Sequence, residues 1–286
     1  MSRRLFLQLL GPCRVFLKRF LMKRCETNFK MNLHVATYAE QPTLPDEVWP
    51  AIKQRVWPEF MFHDPVADRL WGSLQQDFAE FQFVLLDADA GDRPAAVAHT
   101  LPFFWEGDLP DDGWDAVFEK AVADQLGGVR PNMLTAIEAS IAPEYQGRGV
   151  SRAILEHMRA IAAREGLGSL VAPVRPTWKA RYPLMPMERY VTWTNDASGA
   201  PFDPWLRAHW RLGARIENIA ARSMTISGTV AQWEAWAGMR FPESGEYVVP
   251  GALSPVHIDR ERDEGVYVEP NVWMRHGIGE RGEREA

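Results

Sequence analysis

Cysteine is nearly absent from this chain. It has two among 286 residues, Cys13 and Cys25, and both lie within the first thirty. Residues 31–286 can therefore form neither a disulfide framework nor a thiolate metal site. The seven histidines include no pair with the H-x-x-x-H spacing of a helical zinc site. The sequence therefore predicts a protein without a metal cofactor.

Long apolar runs are also lacking, since none reaches the ~18 residues that a membrane-spanning helix needs. We therefore expect no integral membrane segment. The chain is 46% hydrophobic and 24% charged, which is typical of a globular domain. Its length is sufficient for one full core with an elaboration.

Positive charge is concentrated at one end. Residues 1–30 carry eight basic residues and one acidic residue, net +7, whereas residues 31–286 carry 24 basic and 37 acidic residues, net −13. The acidic body argues against nucleic acid as a partner. The basic segment allows three interpretations: an amphipathic helix at a membrane surface, a targeting segment, or a disordered stretch outside the natural protein. We favour the third, because Met31 opens directly onto a strand-like run, as a genuine start would.

The pattern of apolar residues predicts alternating strands and helices. We expect strands over 33–39, 81–87, 94–104, 133–142, 169–174, 215–226 and 265–275, and helices over 44–78 (one or two pieces), 112–126, 152–165, 204–212 and 230–237. Pro270 predicts that the last strand lies at a sheet edge, and Thr229 with Gln232 predicts a capping box. This order predicts an α/β fold with a mixed central sheet flanked by helices. Residues 229–275 would be a C-terminal extension of the same domain, and 276–286 a disordered tail.

The most informative stretch is a turn between a predicted strand and a predicted helix. It consists of Gln146, Gly147, Arg148, Gly149, Val150 and Ser151. Backbone N–H groups at a helix start have no partners within the helix, and with the positive end of the helix dipole they form an anion site. Gly147 and Gly149 allow close approach of the backbone and a positive φ. The turn lacks the Lys-Ser/Thr of a P-loop and the third Gly of a dinucleotide fingerprint, so neither motif applies.

This turn resembles the acyl-CoA-binding turn of the GNAT N-acetyltransferases, whose pattern is Q/R-x-x-G-x-G/A. The preceding Pro143-Glu144-Tyr145 is also typical of that family, and the resemblance spans roughly residues 33–226. It implies a GNAT acyltransferase domain over 31–228, with acyl-CoA as co-substrate and its pyrophosphate bound by residues 146–151. Ser151 departs from the pattern, which has Gly or Ala there, but Ser is also small.

The resemblance also implies where the chemistry takes place. In such enzymes a backbone N–H on the strand before the turn, here Ile141 or Ala142, polarises the thioester carbonyl. An acid on that strand often serves as the base, and Glu138 is the candidate, with Ser140 on the same sheet face as a further catalytic candidate. The alternative for Glu138 is a solvent-facing or ion-paired side chain. Partial burial near the thioester would raise its pKa toward the working range.

His209 takes the position of a family tyrosine that protonates the CoA sulfur. The family run Tyr-x-x-Leu-Gly-Phe/Ala is here His209 to Ala214. An imidazolium can donate a proton, so His209 is the candidate acid. The alternative is a polar helix residue without a chemical role, and Tyr145, Tyr182 and Tyr190 are other candidate acids.

Residues 175–203 form an insertion that is too long for a simple connection. Because it mixes Trp, Tyr, Met and Arg, it does not resemble a disordered linker. We expect a lid or a wall of the acceptor pocket, in which Arg175, Lys179, Arg181 or Arg189 meets an anionic group. The alternative is a structural excursion that packs on the domain.

We therefore expect a cytoplasmic acyl-CoA-dependent N-acyltransferase. It would use acetyl-CoA or another acyl-CoA and move the acyl group directly to the primary amine of a small molecule. Two alternatives stay open: a catalytically weak module that binds acyl-CoA as a ligand or sensor, and a protein N-acetyltransferase. The expected partners are the amine acceptor and, as one option, a second copy of the chain in a homodimer.

Overall fold

The computed structural model describes residues 31–195 and 197–279. The basic segment over residues 1–30 therefore lies outside the described residues, and so do residues 280–286 of the expected tail. From Asn32 onward, the described residues belong to one compact unit.

Nine strands of the described residues form one mixed sheet. They are β1 (Leu33–Thr37), β2 (Gln82–Asp87), β3 (Arg93–Phe103), β4 (Met133–Ile141), β5 (Ser169–Val174), β6 (Arg215–Gly228), β7 (Gly245–Tyr247), β8 (Val256–Asp259) and β9 (Glu264–Gly277). Their order is β1-β2-β3-β4-β5-β9-β8-β7, and β6 pairs with β9. β4 and β5 are parallel, and the other pairs are antiparallel. The predicted α/β class with a mixed central sheet is confirmed.

Nine α-helices occur in the same part of the chain. They are α1 (Leu44–Val48), α2 (Gln54–Val56), α3 (Pro65–Leu70), α4 (Ser73–Gln76), α5 (Gly113–Gly127), α6 (Val150–Arg164), α7 (Met187–Tyr190), α8 (Pro204–Arg211) and α9 (Val230–Ala237). A π-helical segment, Trp49–Lys53, joins α1 to α2, and a 3₁₀ turn, Glu59–His63, precedes α3. The predicted breaks around Pro58 and Pro65 are confirmed, because each proline lies just before or at the start of a new helical piece.

α6 shows why the long helices form where they do. Its apolar residues recur at helical spacing and are all buried: Ile154, Leu155, Met158, Ile161 and Ala162. The helix packs with this face on β3, β4 and β5. Burying each large side chain stabilises the fold by roughly 1.5–3 kcal/mol. This contact fixes the start of α6 beside the end of β4.

The capping box predicted at the start of α9 is confirmed. The Thr229 hydroxyl accepts from the Gln232 N–H at 3.2 Å, and the Gln232 side chain accepts from the Thr229 N–H at 2.8 Å. β7 and β8 were not predicted. They have three and four residues, too few for apolar alternation to distinguish them from loop.

The prediction that the last strand lies at a sheet edge is wrong. β9 pairs with β6 along one side and with β5 and β8 along the other. Pro270 is tolerated because it lies where the β6 ladder is interrupted, between the Asn271 and Glu269 pairs. On the other side it lies in the interval between the β8 and β5 pairings, so a missing N–H breaks no regular ladder there.

β9 also extends further than expected. His276 pairs with Leu170 and Gly277 with Ser169. The tail that the sequence placed at 276–286 therefore cannot begin at 276, because these two residues complete the ladder with β5.

Candidate active site

The glycine turn joins the end of β4 to the start of α6. Gly147 and Gly149 have φ angles of 71° and 87°, in the left-handed region that favours glycine. Gly149 is the N-cap of α6, and no side chain caps this end. No acidic residue occurs in the first helical turn, so the positive end of the helix dipole faces the turn without a neighbouring negative charge.

The backbone of this turn presents unpaired donors. The N–H groups of residues 147–151 donate to no acceptor among the described residues. The Gln146 side chain donates to the Ile141 carbonyl at 3.1 Å, which holds the turn against the strand end. Arg148 is exposed and lies 5.7 Å from the centre of the Tyr145 ring. The turn has the donor arrangement that an anion such as a pyrophosphate requires.

β4 and β5 separate soon after they pair. Their ladder runs only from the Met133–Ser169 pair to the Thr135–Val171 pair. Beyond it, residues 136–141 and 172–174 diverge and line a cavity. The gap in the sheet therefore ends beside the glycine turn.

Ile141 and Ala142, the two residues predicted to polarise the thioester carbonyl, differ in the direction of their N–H groups. The Ala142 N–H donates to the Ala95 carbonyl at 3.0 Å. In an antiparallel ladder neighbouring residues alternate between facing the partner strand and facing away. The N–H of Ile141, which opposes Ala96, therefore faces the gap between β4 and β5. This removes Ala142 from the candidate donors and leaves Ile141.

A cavity of about 710 Å³ opens from this gap. Gln146 and Ser151 of the turn line it together with Glu138, Ser140 and His209. Its aromatic walls include Trp49, Trp57, Phe62, Trp71, Trp114 and Trp205. Its other charged residues are Lys53, Asp68, Arg175 and Glu269. The predicted catalytic residues and the glycine turn thus share one cavity.

Glu138 is ion-paired rather than solvent-facing. It is 8% exposed, and its Oε2 lies 3.1 Å from the Lys53 Nζ and 3.4 Å from the His99 Nε2. The Lys53 ammonium lies 3.8 Å from the centre of the Trp71 ring, where the π face supports the cation. The ion-paired alternative describes this side chain correctly.

Ser140 is held in the same network. Its hydroxyl donates to the Glu138 Oε1 at 2.7 Å and accepts from the Trp57 indole N–H at 2.8 Å. The Trp57 N–H is also 3.3 Å from the Glu138 Oε1. Since both the proton and a lone pair of this hydroxyl are engaged, Ser140 orients the carboxylate and is poorly placed to act as a nucleophile.

The expected rise in the pKa of Glu138 is wrong. Burial raises the pKa, but the ion pair with Lys53 and the Ser140 hydrogen bond lower it by more than burial raises it, so the net direction is downward. His99 is neutral, because burial lowers its pKa to about 3. Glu138 is therefore a carboxylate at neutral pH, suited to accepting hydrogen bonds from a cation and weak as a proton acceptor.

His209 is buried on α8 beside the cavity, and its Nε2 is enclosed without a hydrogen-bond partner among the described residues. Its Nδ1 lies 3.0 Å from the Nε2 of His276. Burial, and then His276, lower the pKa of His209 well below its usual value. The expected imidazolium donor is therefore wrong, since the ring is neutral at physiological pH.

The insertion packs on the domain and contributes little to the cavity. Only Arg175 and Thr177 of residues 175–203 line it. Arg175 is paired with Glu269 at 2.8 Å. Lys179 is buried and donates to two backbone carbonyls, those of Tyr182 and Leu253. Of the four basic residues proposed to meet an anion, Arg175 is the one that the structure places at the cavity.

Trp49 and Lys53, which close the cavity from the N-terminal side beside Trp57, were not predicted from the sequence. Trp49, Lys53 and Trp57 follow one another at intervals of four, which places them near one face of a helical stretch. The π-helical segment Trp49–Lys53 lies there, and such segments are frequent at functional sites. A lysine between two tryptophans at this spacing was the available signal.

No family model matches this chain. The arginine N-acetyltransferase avaD of Aspergillus versicolor is 34% identical over 248 residues, which cover 78% of this chain and 86% of that protein. The chain belongs to the GNAT N-acetyltransferase superfamily. As in other GNAT enzymes, the donor is an acyl-CoA, and the protein is an acyl-CoA-dependent N-acyltransferase.

Two solved structures show the same fold over most of the chain. The loading GNAT-like domain of CurA from Lyngbya majuscula has a TM-score of 0.53 and 19% identity, over 86% of this chain and 97% of that one. The GNAT-like decarboxylase GphF in complex with isobutyryl-CoA has a TM-score of 0.50 and 17% identity, over 86% of this chain and 98% of that one.

Neither a membrane-spanning helix nor a metal-binding cluster occurs among the described residues. Within residues 31–195 and 197–279, no helix combines the length and the apolar character needed to cross a bilayer. The same residues contain no group of three His, Cys, Asp or Glu side chains placed to hold a metal ion.

Proposed function

We propose that this enzyme transfers an acyl group, acetyl in the first instance, from CoA to the α-amino group of a small amino acid with a cationic side chain. Arginine is the first acceptor to test, because the relative from Aspergillus versicolor is an arginine N-acetyltransferase. The observation that carries the proposal is the single cavity that joins the glycine turn to the buried carboxylate of Glu138.

The donor would bind along the turn and the gap in the sheet. The free N–H groups of residues 147–151 would hold the CoA pyrophosphate at the start of α6. The pantetheine arm would then run between β4 and β5. The N–H of Ile141 faces this gap and would donate to the thioester oxygen, where negative charge develops during transfer.

The acceptor end of the cavity offers groups for both charges of a basic amino acid. Arg175 donates through Nε to Glu269 and through Nη2 to the Gly251 carbonyl, which leaves its Nη1 for the acceptor carboxylate. Asp68 is exposed and lines the same cavity. Together with the Trp49 ring, it would hold a guanidinium by charge and by cation–π attraction.

The α-amino group is the nitrogen that can react. A guanidinium stays protonated throughout the physiological range and has no free lone pair, whereas an α-amine loses its proton near pH 8. In the transfer, the C–N bond forms as the C–S bond breaks and its electron pair goes to sulfur. The nitrogen loses one proton, and the thiolate gains one. Glu138 would accept a hydrogen bond from the amine and orient it, with Ser140 fixing the carboxylate.

Thiol release from acetyl-CoA with a matched panel of acceptors tests the proposal. We expect release with arginine, and at least about tenfold lower kcat/KM with agmatine, which lacks the carboxylate, and with citrulline, which lacks the cation, since each removes a charged hydrogen bond. Mass spectrometry should place the acetyl group on the α-nitrogen. Inactivity with free amino acids but acetylation of peptide amino termini would favour a protein N-acetyltransferase instead.

The role of Glu138 has its own test. Glu138→Gln should lower turnover at neutral pH because a neutral amide accepts a weaker hydrogen bond from the amine than a carboxylate does, while CoA affinity stays unchanged. Binding of CoA by calorimetry serves as the control for folding. Turnover equal to that of the wild type would remove Glu138 from the mechanism.

A further inference from the structure

Trp57 contacts both of the charged groups that the proposed function assigns to the acceptor. Its indole N–H donates to the Ser140 hydroxyl at 2.8 Å and lies 3.3 Å from the Glu138 Oε1. The guanidinium carbon of Arg175 lies 5.7 Å from the centre of the same indole ring. Trp57 is half-buried, and it lines the cavity together with these three residues. One rigid side chain therefore joins the group that would orient the amine to the group that would bind the carboxylate.

The backbone at Trp57 has little freedom. Its φ and ψ are −101° and 139°, and the proline that follows restricts this residue to extended backbone. The Trp57 N–H donates to the Lys53 carbonyl at 3.2 Å. With the main chain fixed, the ring can turn only about its two side-chain torsions, and the indole hydrogen bonds hold these.

Pro58 joins the same segment to Arg175 by a second route. A Cβ on Gly251 would lie 3.2 Å from both the Cβ and the Cγ of Pro58, so the proline ring packs closely on the Gly251 backbone. The Gly251 carbonyl in turn accepts from the Arg175 Nη2 at 2.5 Å. The position of Arg175 is therefore tied to residues 57 and 58 both through the indole ring and through this carbonyl.

We propose that Trp57 is a specificity-determining residue, whose rigid ring sets the separation between Arg175 and Glu138 so that an acceptor with its amine and carboxylate on one carbon reaches both. This inference rests on the proposed function. It names α-amino acids as the acceptor class, and it assigns the selection of the α-nitrogen to a residue that takes no part in the bond changes. Trp57 acts through its two neighbours and is a positioning residue.

The indole has two properties that act on different steps. Its N–H orients the Glu138 carboxylate and should therefore affect the transfer step. Its ring face supports the Arg175 cation and should therefore affect binding of the acceptor carboxylate. Removing one property at a time should change kcat in one case and KM for the acceptor in the other.

Two variants of Trp57 separate these properties. Trp57→Phe keeps an aromatic face but has no N–H, so kcat should fall on the order of tenfold, the worth of one hydrogen bond to a charged group, with little change in KM for arginine. Trp57→Gln keeps an N–H at a similar reach but lacks the ring, so KM for arginine should rise about threefold or more with most of kcat retained. The same pattern of kcat and KM in both variants would overturn the proposal.

Trp105→Phe is the matched control. The Trp105 N–H donates to the Asp108 carbonyl at 2.9 Å, and neither residue lines the cavity. Both kinetic constants should stay at their wild-type values in this variant. Thermal unfolding and calorimetry with CoA establish that all three variants are folded.

β-Homoarginine tests the separation itself. It keeps the guanidinium and the carboxylate of arginine but places one CH₂ group between the amine-bearing carbon and the carboxylate. The wild type should show at least about tenfold higher kcat/KM with arginine, because a small misplacement of the reacting nitrogen slows transfer strongly. Trp57→Gln should lose most of this preference. Equal kcat/KM of the wild type with both acceptors would overturn the proposed selection of α-amino acids.

The contacts of Trp57 also have a readout that needs no acceptor. In ¹H–¹⁵N spectra of the full-length protein, the Trp57 indole resonance, assigned through Trp57→Phe, should move in Glu138→Gln and also in Arg175→Lys. The Trp105 resonance should stay in place in both. A Trp57 resonance unchanged by either substitution would overturn the proposal. Absence of thiol release by the wild type with arginine would instead contradict the proposed function, and these spectra would still decide whether Trp57 couples the two groups.

Discussion

Gly149 closes the glycine turn with a φ of 87°, and no atom lies within 4 Å of the place that a Cβ would occupy. Gly149→Ala should therefore cost about 1–2 kcal/mol in the free energy of unfolding, from the left-handed backbone alone. It should weaken CoA binding by more than this loss of stability explains, because the methyl group would enter the space that we propose for the pyrophosphate. Urea unfolding and calorimetry with CoA measure the two effects.

Gly91 supplies a matched control. It also has a positive φ, 68°, and no atom within 4 Å of a Cβ position, but it lies in the turn between β2 and β3. Gly91→Ala should lose similar stability and bind CoA as the wild type does. If both variants bound CoA equally well, the glycine turn would not be the site of close approach.

Lys53 is the cation that keeps Glu138 ionised. Lys53→Met leaves a buried carboxylate without its ion-pair partner, and the two side chains are 9% and 4% exposed in the wild type. The expected loss of stability is about 3–5 kcal/mol, most of it from the uncompensated charge. Thermal and urea unfolding at pH 7 measure it.

The double variant Lys53→Met, Glu138→Gln tests whether the loss of stability comes from the unpaired charge of Glu138. Replacing both members of a buried pair costs less than removing one, so the double variant should be more stable than Lys53→Met alone. A double variant less stable than the single one would mean that the Glu138 carboxylate stabilises the fold mainly through its hydrogen bonds with Trp57 and Ser140 rather than through Lys53.

At the scale of elements, the insertion is anchored by one buried carboxylate. Asp203 caps α8 by accepting from the N–H groups of Trp205 and Leu206. It also accepts from the N–H groups of Thr177 and Trp178 at the other end of the insertion. This arrangement ties both ends of residues 175–203 together and anchors the segment to the start of α8.

Asp203→Ala should release this anchor. Several hydrogen bonds to a buried charge are lost, each worth about 1.5–3 kcal/mol, so we expect a loss of at least about 3 kcal/mol and increased hydrogen exchange over 175–203. Tyr190→Phe removes only the hydroxyl that donates to Asp203 at 2.8 Å and should cost about 1 kcal/mol. Similar losses in the two variants would contradict the anchoring role.

β9 belongs to the C-terminal extension, beyond residues 31–228, and part of it lines the cavity. Between its pairings with β8 and β5, residues 267–271 have no ladder on one side, and Glu269 and Asn271 of this interval line the cavity. The Tyr267 hydroxyl and the Asn271 amide both donate to the Glu269 carboxylate. The C-terminal extension therefore supplies part of the cavity wall.

At the scale of the whole molecule, three histidines are buried and neutral. Burial lowers the pKa of His99 to about 3 and of His276 to about 4, and that of His209 falls well below 6.5. In the unfolded chain each would titrate near 6.5. Below that pH the three histidines bind protons in the unfolded state but stay neutral in the folded state. The free energy of unfolding therefore falls as the pH falls.

We expect the urea midpoint to drop steadily from pH 7 toward pH 4. Each of the three histidines contributes up to about 1.4 kcal/mol per pH unit. The lowered pKa of Glu138 adds a further loss only below its ordinary range, near pH 4. His99→Gln should show a smaller slope above pH 4, and the exposed His257→Gln should keep the slope of the wild type. A midpoint independent of pH between 7 and 5 would contradict the buried neutral histidines.

The local sequence pattern was sufficient to predict those elements whose structure depends on residues close together in the chain. The turn over 146–151, the helix that follows it, and β5 were predicted nearly residue by residue, because glycine positions and apolar spacing determine them. Lys53 and His276 could not be linked to Glu138 and His209 in this way, since each pair is far apart in the sequence and meets only across the sheet. The direction of the Glu138 pKa depends on such a pair, which is why it was predicted wrongly.

The sequence by itself determined the glycine turn, which consists of a strand end, two glycines with positive φ and a helix start with unpaired N–H groups. These features depend on a few adjacent residues. Only the tertiary structure decided the charge state of the catalytic candidates and the walls of the acceptor cavity. These depend on burial and on ion pairs between segments far apart in the chain, and long-range Coulomb and desolvation effects leave no periodic signature in the sequence.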